Sequence, residues 1–331
     1  MPAVPDTALA RAEQLAERVL PDRSPKRRML VIVNPYATTV SDRLRNLVVY
    51  ALQGRYQVEA VDTERRNHAT QICREAASEG YDAVVASGGD GTVNEAANGL
   101  IGSPTPLTCL PGGSTNVWAR TLGIPNDVVD ATEHLLRLAD DFQPRWVDLG
   151  KVNGRYFIFA SGIGLDASVV ERVESHPKLK RRFTKWYFVW SAISTFNRRY
   201  LVKPPRVRVE TPGGALEGVT VIVQNSDPFT YFGTRPIRIG RDVSLDSGSL
   251  SLTVLKRATP LELGTLLPRI FSARDGSVAA HRQVESLTGL TRFRVDTAGE
   301  GAFPLEVDGD FLGEFETAEF EAAPRSLSVV S

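Results

Sequence analysis

The chain has 331 residues, 42% of them hydrophobic, and its 39 lysines and arginines balance 39 aspartates and glutamates. This length suffices for two ordinary domains, the composition excludes a disordered chain, and the neutral balance gives no overall field that favours nucleic acid. The two cysteines are too few for a disulfide framework and are not spaced as a zinc site, which indicates a reducing cytosol. No apolar run reaches the ~18–20 residues of a spanning helix, and we expect no secretory signal at the N-terminus.

The first part of the chain predicts an α/β domain. Helical spacing over 7–20 indicates an accessory helix in an extension of residues 1–26. Buried strands and helices then alternate over 27–143, with strands at 29–33, 56–61, 83–86 and 107–110 and helices at 44–52, at 68–79, in the second half of 81–97 and at 117–122. The alternation predicts right-handed βαβ units and a mostly parallel sheet.

Ligands of such sheets bind at the carboxyl ends of the strands. Four strand ends here carry small polar or glycine-rich turns, at 34–38, 63, 88–94 and 112–116. Their convergence predicts a binding site.

The stretch GGDGTVNE at 88–95 is the most informative of these turns. Gly88, Gly89 and Gly91 leave no Cβ between a ligand and the backbone. Thr92 is a candidate N-cap, with Glu95 at capping-box spacing. A glycine turn that leads into a helix N-terminus offers N–H groups to a phosphate, although a strand–helix turn shaped only for packing is the alternative.

The second part of the chain predicts an antiparallel β-sandwich over residues 144–331. Short strand-like runs recur at 147–152, 155–160, 206–210, 219–224, 250–255, 291–295, 305–307, 316–320 and 326–330, with Gly-rich turns between them. A helical insertion at 173–200 and a helix over 260–271 interrupt this pattern.

With these elements placed, the chain resembles the diacylglycerol kinase catalytic family, which comprises bacterial soluble lipid kinases and eukaryotic diacylglycerol, sphingosine and ceramide kinases. GGDGTVNE matches the family's GGDGTxNE in full. Further motifs follow in the same order: Asn34-Pro35, PGGSTN at 111–116, VDLG at 147–150, GIGLDA at 162–167 and VDGD at 307–310. The resemblance spans about residues 28–331.

The resemblance implies an N-terminal nucleotide-binding domain, a C-terminal β-sandwich, and ATP held between them. The residues implied to bind ATP are Asn34, Pro35, Tyr36, Ala37, Thr38, Thr63, Gly88, Gly89, Asp90, Gly91, Thr92, Val93, Asn94 and Ser114. Ser114 stands where the family usually has threonine, Val117 replaces an aspartate, and Asp310 ends a motif that is normally DGE.

Phosphoryl transfer requires positioning and charge neutralisation, which the N–H groups of Gly89, Gly91 and Thr92 are suited to provide. We assign Asp90 to Mg²⁺, directly or through water, with a turn-holding role as the alternative. The family places its catalytic acid pair at positions that correspond to Asp308 and Asp310, and both carboxylates would share one face if the strand before them continued. Asp308-Gly309 is also an ordinary hairpin-turn signal.

The family's bacterial members carry a structural Mg²⁺ at an Asp-Asp-Gly turn of the second domain. Here the turn reads Asp246-Ser247-Gly248, so only Asp246 remains as a candidate ligand.

A basic aromatic segment within the insertion predicts contact with an anionic membrane surface. It contains Lys178, Lys180, Arg181, Arg182, Lys185, Trp186 and Trp190. A helix that packs its aromatic residues on the β domain is the alternative.

These features favour an ATP- and Mg²⁺-dependent kinase of a membrane alcohol, diacylglycerol first and a sphingoid base next. We expect a cytoplasmic protein at the inner face of the membrane, without a nucleic-acid partner, and leave open a homodimer. Two other readings stay open: a kinase of NAD or a sugar phosphate, and a catalytically weak sensor of nucleotide or lipid.

Overall fold

The computed structural model describes residues 10, 11, 13–15, 26–36, 41–164, 206–272, 274–299 and 301–331. The chain forms two compact units, Met1–Val147 with Arg325–Ser331, and Asp148–Pro324. The sequence alone placed the boundary near residue 143 and the whole C-terminus in the second domain. The last residues belong instead to the first unit, because Leu327, Val329 and Val330 are buried and Val329 pairs with Leu107.

The first unit is an α/β unit, as predicted. Its elements in chain order are β1 (Arg28–Val33), α1 (Asp42–Gln53), β2 (Gln57–Asp62), α2 (His68–Glu79), β3 (Ala83–Gly88), α3 (Asp90–Gly99), β4 (Leu107–Pro111), α4 (Val117–Thr121) and α5 (Val128–Leu138). The strands pair in the order β2-β1-β3-β4, all parallel. The central strands are buried because both of their faces are apolar, whereas β2 at the edge is largely exposed.

The second unit is antiparallel. Its elements are β5 (Arg145–Val152, which begins in the first unit), β6 (Arg155–Phe157), β7 (Ala160–Gly164), β8 (Val207–Thr211), β9 (Gly214–Gly218), β10 (Thr220–Gln224), β11 (Thr230–Phe232), β12 (Arg235–Ile237), β13 (Leu250–Leu255), α6 (Pro260–Ile270), β14 (Val284–Leu290), β15 (Arg292–Thr297), β16 (Phe303–Val307), β17 (Asp310–Phe315) and β18 (Thr317–Val329).

These strands form two sheets over one core. One sheet has the order β14-β13-β10-β7-β16-β17, and within the second unit β18, β15, β8 and β9 pair in sequence. Alternate residues of both sheets fill the core, where the rings of Phe293 and Phe320 stack with centroids 4.9 Å apart. The predicted β-sandwich is therefore confirmed. The predicted single run 155–160 is wrong, since it contains all of β6 and the first residue of β7.

Two glycines of this unit give opposite expectations for stability. Gly150 lies opposite Phe157, whose ring occupies the place of a Cβ. Gly264 in α6 has no atom near its missing Cβ. We expect Gly150→Ala to lower the free energy of unfolding by about 1–3 kcal/mol through overpacking. Gly264→Ala should raise it by up to about 1 kcal/mol. Urea unfolding measures both, and a Gly150→Ala protein as stable as wild type would contradict the packing.

Candidate active site

The carboxyl ends of the first four strands meet at one edge of the sheet. Val33 pairs with Asp62 and with Ser87 on its two sides, and Gly88 pairs with Pro111. Three backbone bonds join the residues that follow: Asn34 N–H to the Ser87 carbonyl at 3.0 Å, Thr63 N–H to the Val33 carbonyl at 2.8 Å, and Gly112 N–H to the Gly88 carbonyl at 2.8 Å. The structure thus brings together the four predicted turns.

The turns after β3 and β4 touch backbone to backbone. A Cβ on Gly113 would lie 2.9 Å from the Gly89 Cα, and a Cβ on Gly88 would lie 2.6 Å from the Thr92 hydroxyl oxygen. Both positions therefore exclude any larger residue unless the backbone shifts. The glycines are needed for this close approach, and the surface that they leave is bare backbone.

The helix after this turn begins earlier than its sequence indicates. Gly89, in an extended conformation, is the N-cap of α3, and no side chain caps this end. The Thr92 N–H donates to the Gly89 carbonyl at 3.0 Å, so the predicted Thr92 cap and the availability of its N–H are wrong. The N–H groups of Gly89 and Gly91 have no acceptor among the described residues. They lie at the N-terminus of a ten-residue helix, a position at which unpaired N–H groups are suited to a phosphate.

Glu95 caps a different helix. Its carboxylate accepts the N–H groups of Asn67 at 2.8 Å and Ala69 at 3.3 Å, at the start of α2. Asn67, the N-cap of α2, has φ 62° and supplies no side-chain cap of its own. The predicted capping box within 92–95 is therefore replaced by a cap across two helices.

Asp90 joins the two glycine turns. One carboxylate oxygen accepts the Val117 N–H at 3.0 Å and the other accepts the Trp118 N–H at 3.1 Å, so Asp90 caps α4. The Mg²⁺ assignment of Asp90 stays a prediction, and its turn-holding alternative now has a defined geometry.

Burial near this turn also affects a thiol. Cys109, in the middle of β4, is 1% exposed. Burial, followed by the charge of Asp90, raises its thiol pKa above the usual range. Cys109 is therefore a small buried side chain rather than a nucleophile, as the sequence suggested.

Asn34 organises the turn after β1. Its side-chain amide donates to the Thr92 hydroxyl at 2.9 Å, and its Oδ1 accepts the Tyr36 N–H at 2.9 Å. Pro35 fixes the turn between them, and the Tyr36 side chain is 79% exposed beside this edge. Ala37 and Thr38 lie outside the described residues.

The remaining implied ATP residues differ in accessibility. Ser114 is exposed, with its hydroxyl oxygen 3.5 Å from that of Thr115. Thr63 is 7% exposed, Val93 is 3% exposed and Asn94 is fully buried, with its Oδ1 3.2 Å from the Asn98 amide. Direct side-chain contact with a ligand is thus favoured at Ser114 and disfavoured at Val93 and Asn94.

Two residues outside the implied ATP-binding set shape the second glycine turn. Asn116, at φ 50°, accepts the Gly113 N–H at 2.9 Å and donates to the Gly113 carbonyl at 3.0 Å. It also donates to Asn126 Oδ1 at 2.8 Å. The position of Asn116 after Gly-Gly was a usable signal, since asparagine tolerates left-handed backbone. Nothing in the sequence pointed to Asn126.

Asp308 in the second unit is a buried structural carboxylate. It is 4% exposed and accepts three backbone N–H groups, from Ile158 at 2.7 Å, Phe159 at 2.9 Å and Ala160 at 3.1 Å. With Gly309 it forms a two-residue hairpin turn, both at positive φ. The strand does not continue past Val307, so the expected alternation that would place Asp308 and Asp310 on one strand face is wrong.

Asp310 differs from Asp308 in its surroundings. It is half-buried at the first position of β17 and pairs with Val307 across the hairpin. Its carboxylate has no hydrogen bond to any described residue. Of the two acids, Asp310 therefore has the carboxylate that is available to accept a proton.

The turn at 244–249 is closed by its own hydrogen bonds. The Ser244 hydroxyl donates to the Asp246 carboxylate at 2.6 Å, and the Ser247 hydroxyl lies 3.0 Å and 3.1 Å from the carbonyls of Ser244 and Ser249. The Gly248 N–H donates to the Asp148 carboxylate at 2.6 Å. Within the described residues there is no group of three or more His, Cys, Asp or Glu suited to a metal. These contacts do not fit the implied structural Mg²⁺ at Asp246.

The predicted membrane residues from Lys178 to Trp190 lie outside the described residues. Among the helices that are described, none combines the length and apolarity needed to cross a membrane.

The chain combines an α/β unit, whose strand ends meet at one edge, with a β-sandwich unit. Residues 28–152 match the family model of the diacylglycerol kinase catalytic domain. Residues 160–331 match the YegS C-terminal NAD kinase beta sandwich-like domain. The chain therefore belongs to the diacylglycerol kinase family of bacterial lipid kinases, and it is a phosphotransferase with an alcohol acceptor.

Known proteins agree with this assignment. The diacylglycerol kinase of Staphylococcus aureus strain bovine RF122 / ET3-1 is 28% identical over 317 residues, which cover 92% of each chain. The relative from strain JH9 is 28% identical over 308 residues. A crystal structure from Bacillus anthracis str. Sterne, of a candidate diacylglycerol kinase, superposes with a TM-score of 0.70 and 26% identity over 92% of this chain and 97% of that one.

Removal of the Asp90 charge tests the cap of α4. An asparagine keeps one acceptor oxygen and turns an N–H₂ group towards the other backbone N–H, so we expect Asp90→Asn to lower the free energy of unfolding by about 1–3 kcal/mol. Urea unfolding without Mg²⁺ or nucleotide measures this, with the exposed Asp130→Asn as the control. Unchanged stability would leave Asp90 a purely ligand-binding role.

A matched variant tests the turn at 244–249. The wild-type melting temperature without nucleotide should not change when EDTA replaces Mg²⁺, because hydrogen bonds alone close the turn. Ser247→Asp restores the second carboxylate of the family's turn, so its melting temperature should rise with added Mg²⁺. A wild-type melting temperature that rises with Mg²⁺, together with loss of that rise in Asp246→Asn, would instead support a metal at this turn.

Proposed function

We propose that the protein transfers the γ-phosphoryl group of ATP to the hydroxyl of diacylglycerol in a membrane, giving phosphatidic acid. The observation that carries the nucleotide part is the bare backbone edge, where the N–H groups of Gly89 and Gly91 lie beside the close contact between Gly89 and Gly113. The names of the Staphylococcus aureus relatives support diacylglycerol as the acceptor.

The phosphates of ATP are proposed to lie on the helix end at Gly89 and Gly91 and against the second glycine turn. The positive end of α3 and its N–H groups neutralise developing charge without reorganisation. Ser114 adds a hydroxyl donor, and Asn34 holds the neighbouring turn in position. Mg²⁺, when bound, neutralises phosphate charge, and Asp90 is the residue proposed to hold it through water.

The acceptor step forms a bond between the lipid hydroxyl oxygen and the γ-phosphorus and breaks the bond from that phosphorus to the β–γ bridging oxygen. ADP leaves, and the hydroxyl proton passes to a carboxylate. On the resemblance of residues 307–310 to the family's acid pair, we assign this proton to Asp310. Asp308 is a positioning residue, because its carboxylate already holds three backbone N–H groups.

Two narrower parts of the proposal follow from the substrate. Diacylglycerol stays in the bilayer, so the protein would act at the inner face of the membrane as a peripheral protein. The basic segment from Lys178 to Trp190 remains a predicted contact with anionic lipid.

A second acceptor class has a specific observation in its favour. The matched second-unit model is described as NAD kinase beta sandwich-like. Incubation of the full-length protein with labelled ATP, Mg²⁺ and a panel of diacylglycerol, sphingosine, NAD and a sugar phosphate separates these readings. We expect label on diacylglycerol. Label on NAD would establish the second class, and ATP binding without label on any acceptor would indicate a weak sensor.

Three variants separate the proposed roles of the acid pair. Asp310→Asn should lower kcat by about 10²-fold or more, with the melting temperature and ATP affinity unchanged, because it removes the base. Asp310→Glu should keep activity, since it restores the family's usual residue. Asp308→Asn should lower the melting temperature, because a buried neutral amide cannot satisfy three N–H groups. Wild-type turnover in Asp310→Asn would show that another group takes the proton.

A further inference from the structure

Helix α6 exposes an apolar surface that no other described element covers. Leu261 is 71% exposed, Leu267 52% and Phe271, the C-cap residue, 38%. Phe232, 45% exposed at the β11–β12 hairpin, meets the Phe271 ring edge-on with centroids 5.6 Å apart. Four of the six exposed large hydrophobic residues in the described part of the chain are therefore at one place. We call Phe232, Leu261, Leu267 and Phe271 the α6 patch.

The other side of this helix packs against the core of the second unit. Leu266 is buried, and Leu263 and Ile270 pack against a core cluster that includes Ile237 and Val284. The α6 patch is thus a second apolar side of a helix whose core-facing side is already satisfied. A helix that is apolar on both sides yet lies at the surface is typical of one that meets a partner or a membrane.

A cationic recess lies at the start of the helix. A cavity of about 900 Å³ is lined by Arg206, Lys256, Arg257 and Arg282, with Glu217 as its one lining acid among the described residues. Lys256 pairs with Glu285 and Arg282 with Glu262, both at 2.5 Å. Arg206 and Arg257 are exposed and form no ion pair within the described part of the chain, although Arg282 and, after it, Arg257 lower the pKa of the Glu262 carboxyl.

Further cations lie at the other end of the patch. Arg235 follows Phe232 in the hairpin and Arg274 follows the end of α6, and both are exposed without an ion pair to a described residue. The apolar side chains therefore lie between two groups of arginines. This pattern matches a bilayer interface, with apolar groups at the acyl boundary and cations at the lipid phosphates.

We propose that the α6 patch and the cationic recess form a docking surface for an anionic bilayer, with Leu261, Leu267 and their aromatic neighbours in the headgroup region and Arg206 and Arg257 on lipid phosphates. Its residues lie outside the predicted segment Lys178 to Trp190 in sequence. The inference rests on the proposed function only in that a kinase of diacylglycerol has to reach a bilayer. The combination of exposed leucines and phenylalanines with cations at both ends favours an anionic bilayer as the occupant.

Vesicle co-sedimentation of the full-length protein tests the surface. Phosphatidylcholine vesicles with and without phosphatidylglycerol are compared for wild type, Leu261→Ser/Leu267→Ser and Arg206→Gln/Arg257→Gln. We expect wild type to bind the anionic vesicles. Each double variant should bind at least about tenfold more weakly, because it loses either apolar burial or attraction to lipid phosphate.

Matched controls separate docking from general surface effects. Tyr50→Ser removes a 64% exposed apolar side chain of the first unit, and Arg74→Gln/Arg137→Gln removes two exposed charges there. Both should bind vesicles as wild type does. All substituted side chains are exposed, so the melting temperatures of the variants should equal that of wild type. If the leucine double variant has a lower melting temperature, Leu261→Gln alone replaces it.

Activity on a short-chain, water-soluble diacylglycerol without vesicles separates this inference from the proposed function. The α6 variants should retain wild-type turnover there and lose it only on vesicles. The proposed docking surface would be overturned if both double variants bound vesicles as wild type does, or if wild type did not bind them. Loss of turnover on the soluble substrate, or a change of oligomeric mass in place of a change in vesicle binding, would also overturn it. Vesicle binding that depends on α6, with no phosphorylation of any lipid, would refute the proposed function and leave the docking surface standing.

Discussion

The contact between the two glycine turns is the constraint on which the candidate site depends. Asp90 accepts the N–H groups of Val117 and Trp118, and this bond draws the start of α4 against the turn after β3. The backbones of Gly89 and Gly113 then meet without side chains between them. The helix that follows Gly89 has no side-chain cap, and the N–H groups of Gly89 and Gly91 have no acceptor among the described residues, so donors remain at the edge where the strands end. The same Asp90 contact that brings the two turns together therefore lies beside the donors that the proposed function uses.

Much of this could be predicted from local sequence. The strands of the first unit follow from short runs of apolar residues, and the βαβ alternation fixes which of their ends converge. The caps could not be predicted in the same way. Glu95 satisfies α2, 26 residues before it at Ala69, and Asp90 satisfies α4, 27 residues after it at Val117. Spacing rules for caps consider only neighbours in sequence. They therefore assign Glu95 to its own helix and cannot predict that it caps a distant one.

In the second unit, too, a carboxylate holds backbone N–H groups. It also shows that a sequence motif does not by itself give the roles of its residues. The pair at 308 and 310 reads as two equivalent carboxylates, yet three N–H groups hold Asp308 while Asp310 keeps an available carboxylate. The difference arises because the hairpin turns at Asp308-Gly309, which reverses the chain between the two acids. Turn chemistry was visible in the sequence, but the partners at 158–160 come from a strand pairing that spans about half the chain. A motif gives the identity of acids, and their roles follow from the backbone that they meet.

The zero formal charge of the chain has a consequence for how it would meet lipid. Without a net field there is no long-range attraction to an anionic bilayer, so affinity has to come from charges and apolar groups within about one Debye length, roughly 8 Å, of the surface. Cations that are already paired, such as Arg282 with Glu262, contribute little at that range because their partner carboxylate comes with them. Unpaired cations beside exposed leucines contribute fully. A chain of balanced charge can therefore be selective for anionic lipid only where arginines without an ion pair lie near exposed apolar side chains, as Arg206 and Arg257 do at the start of α6.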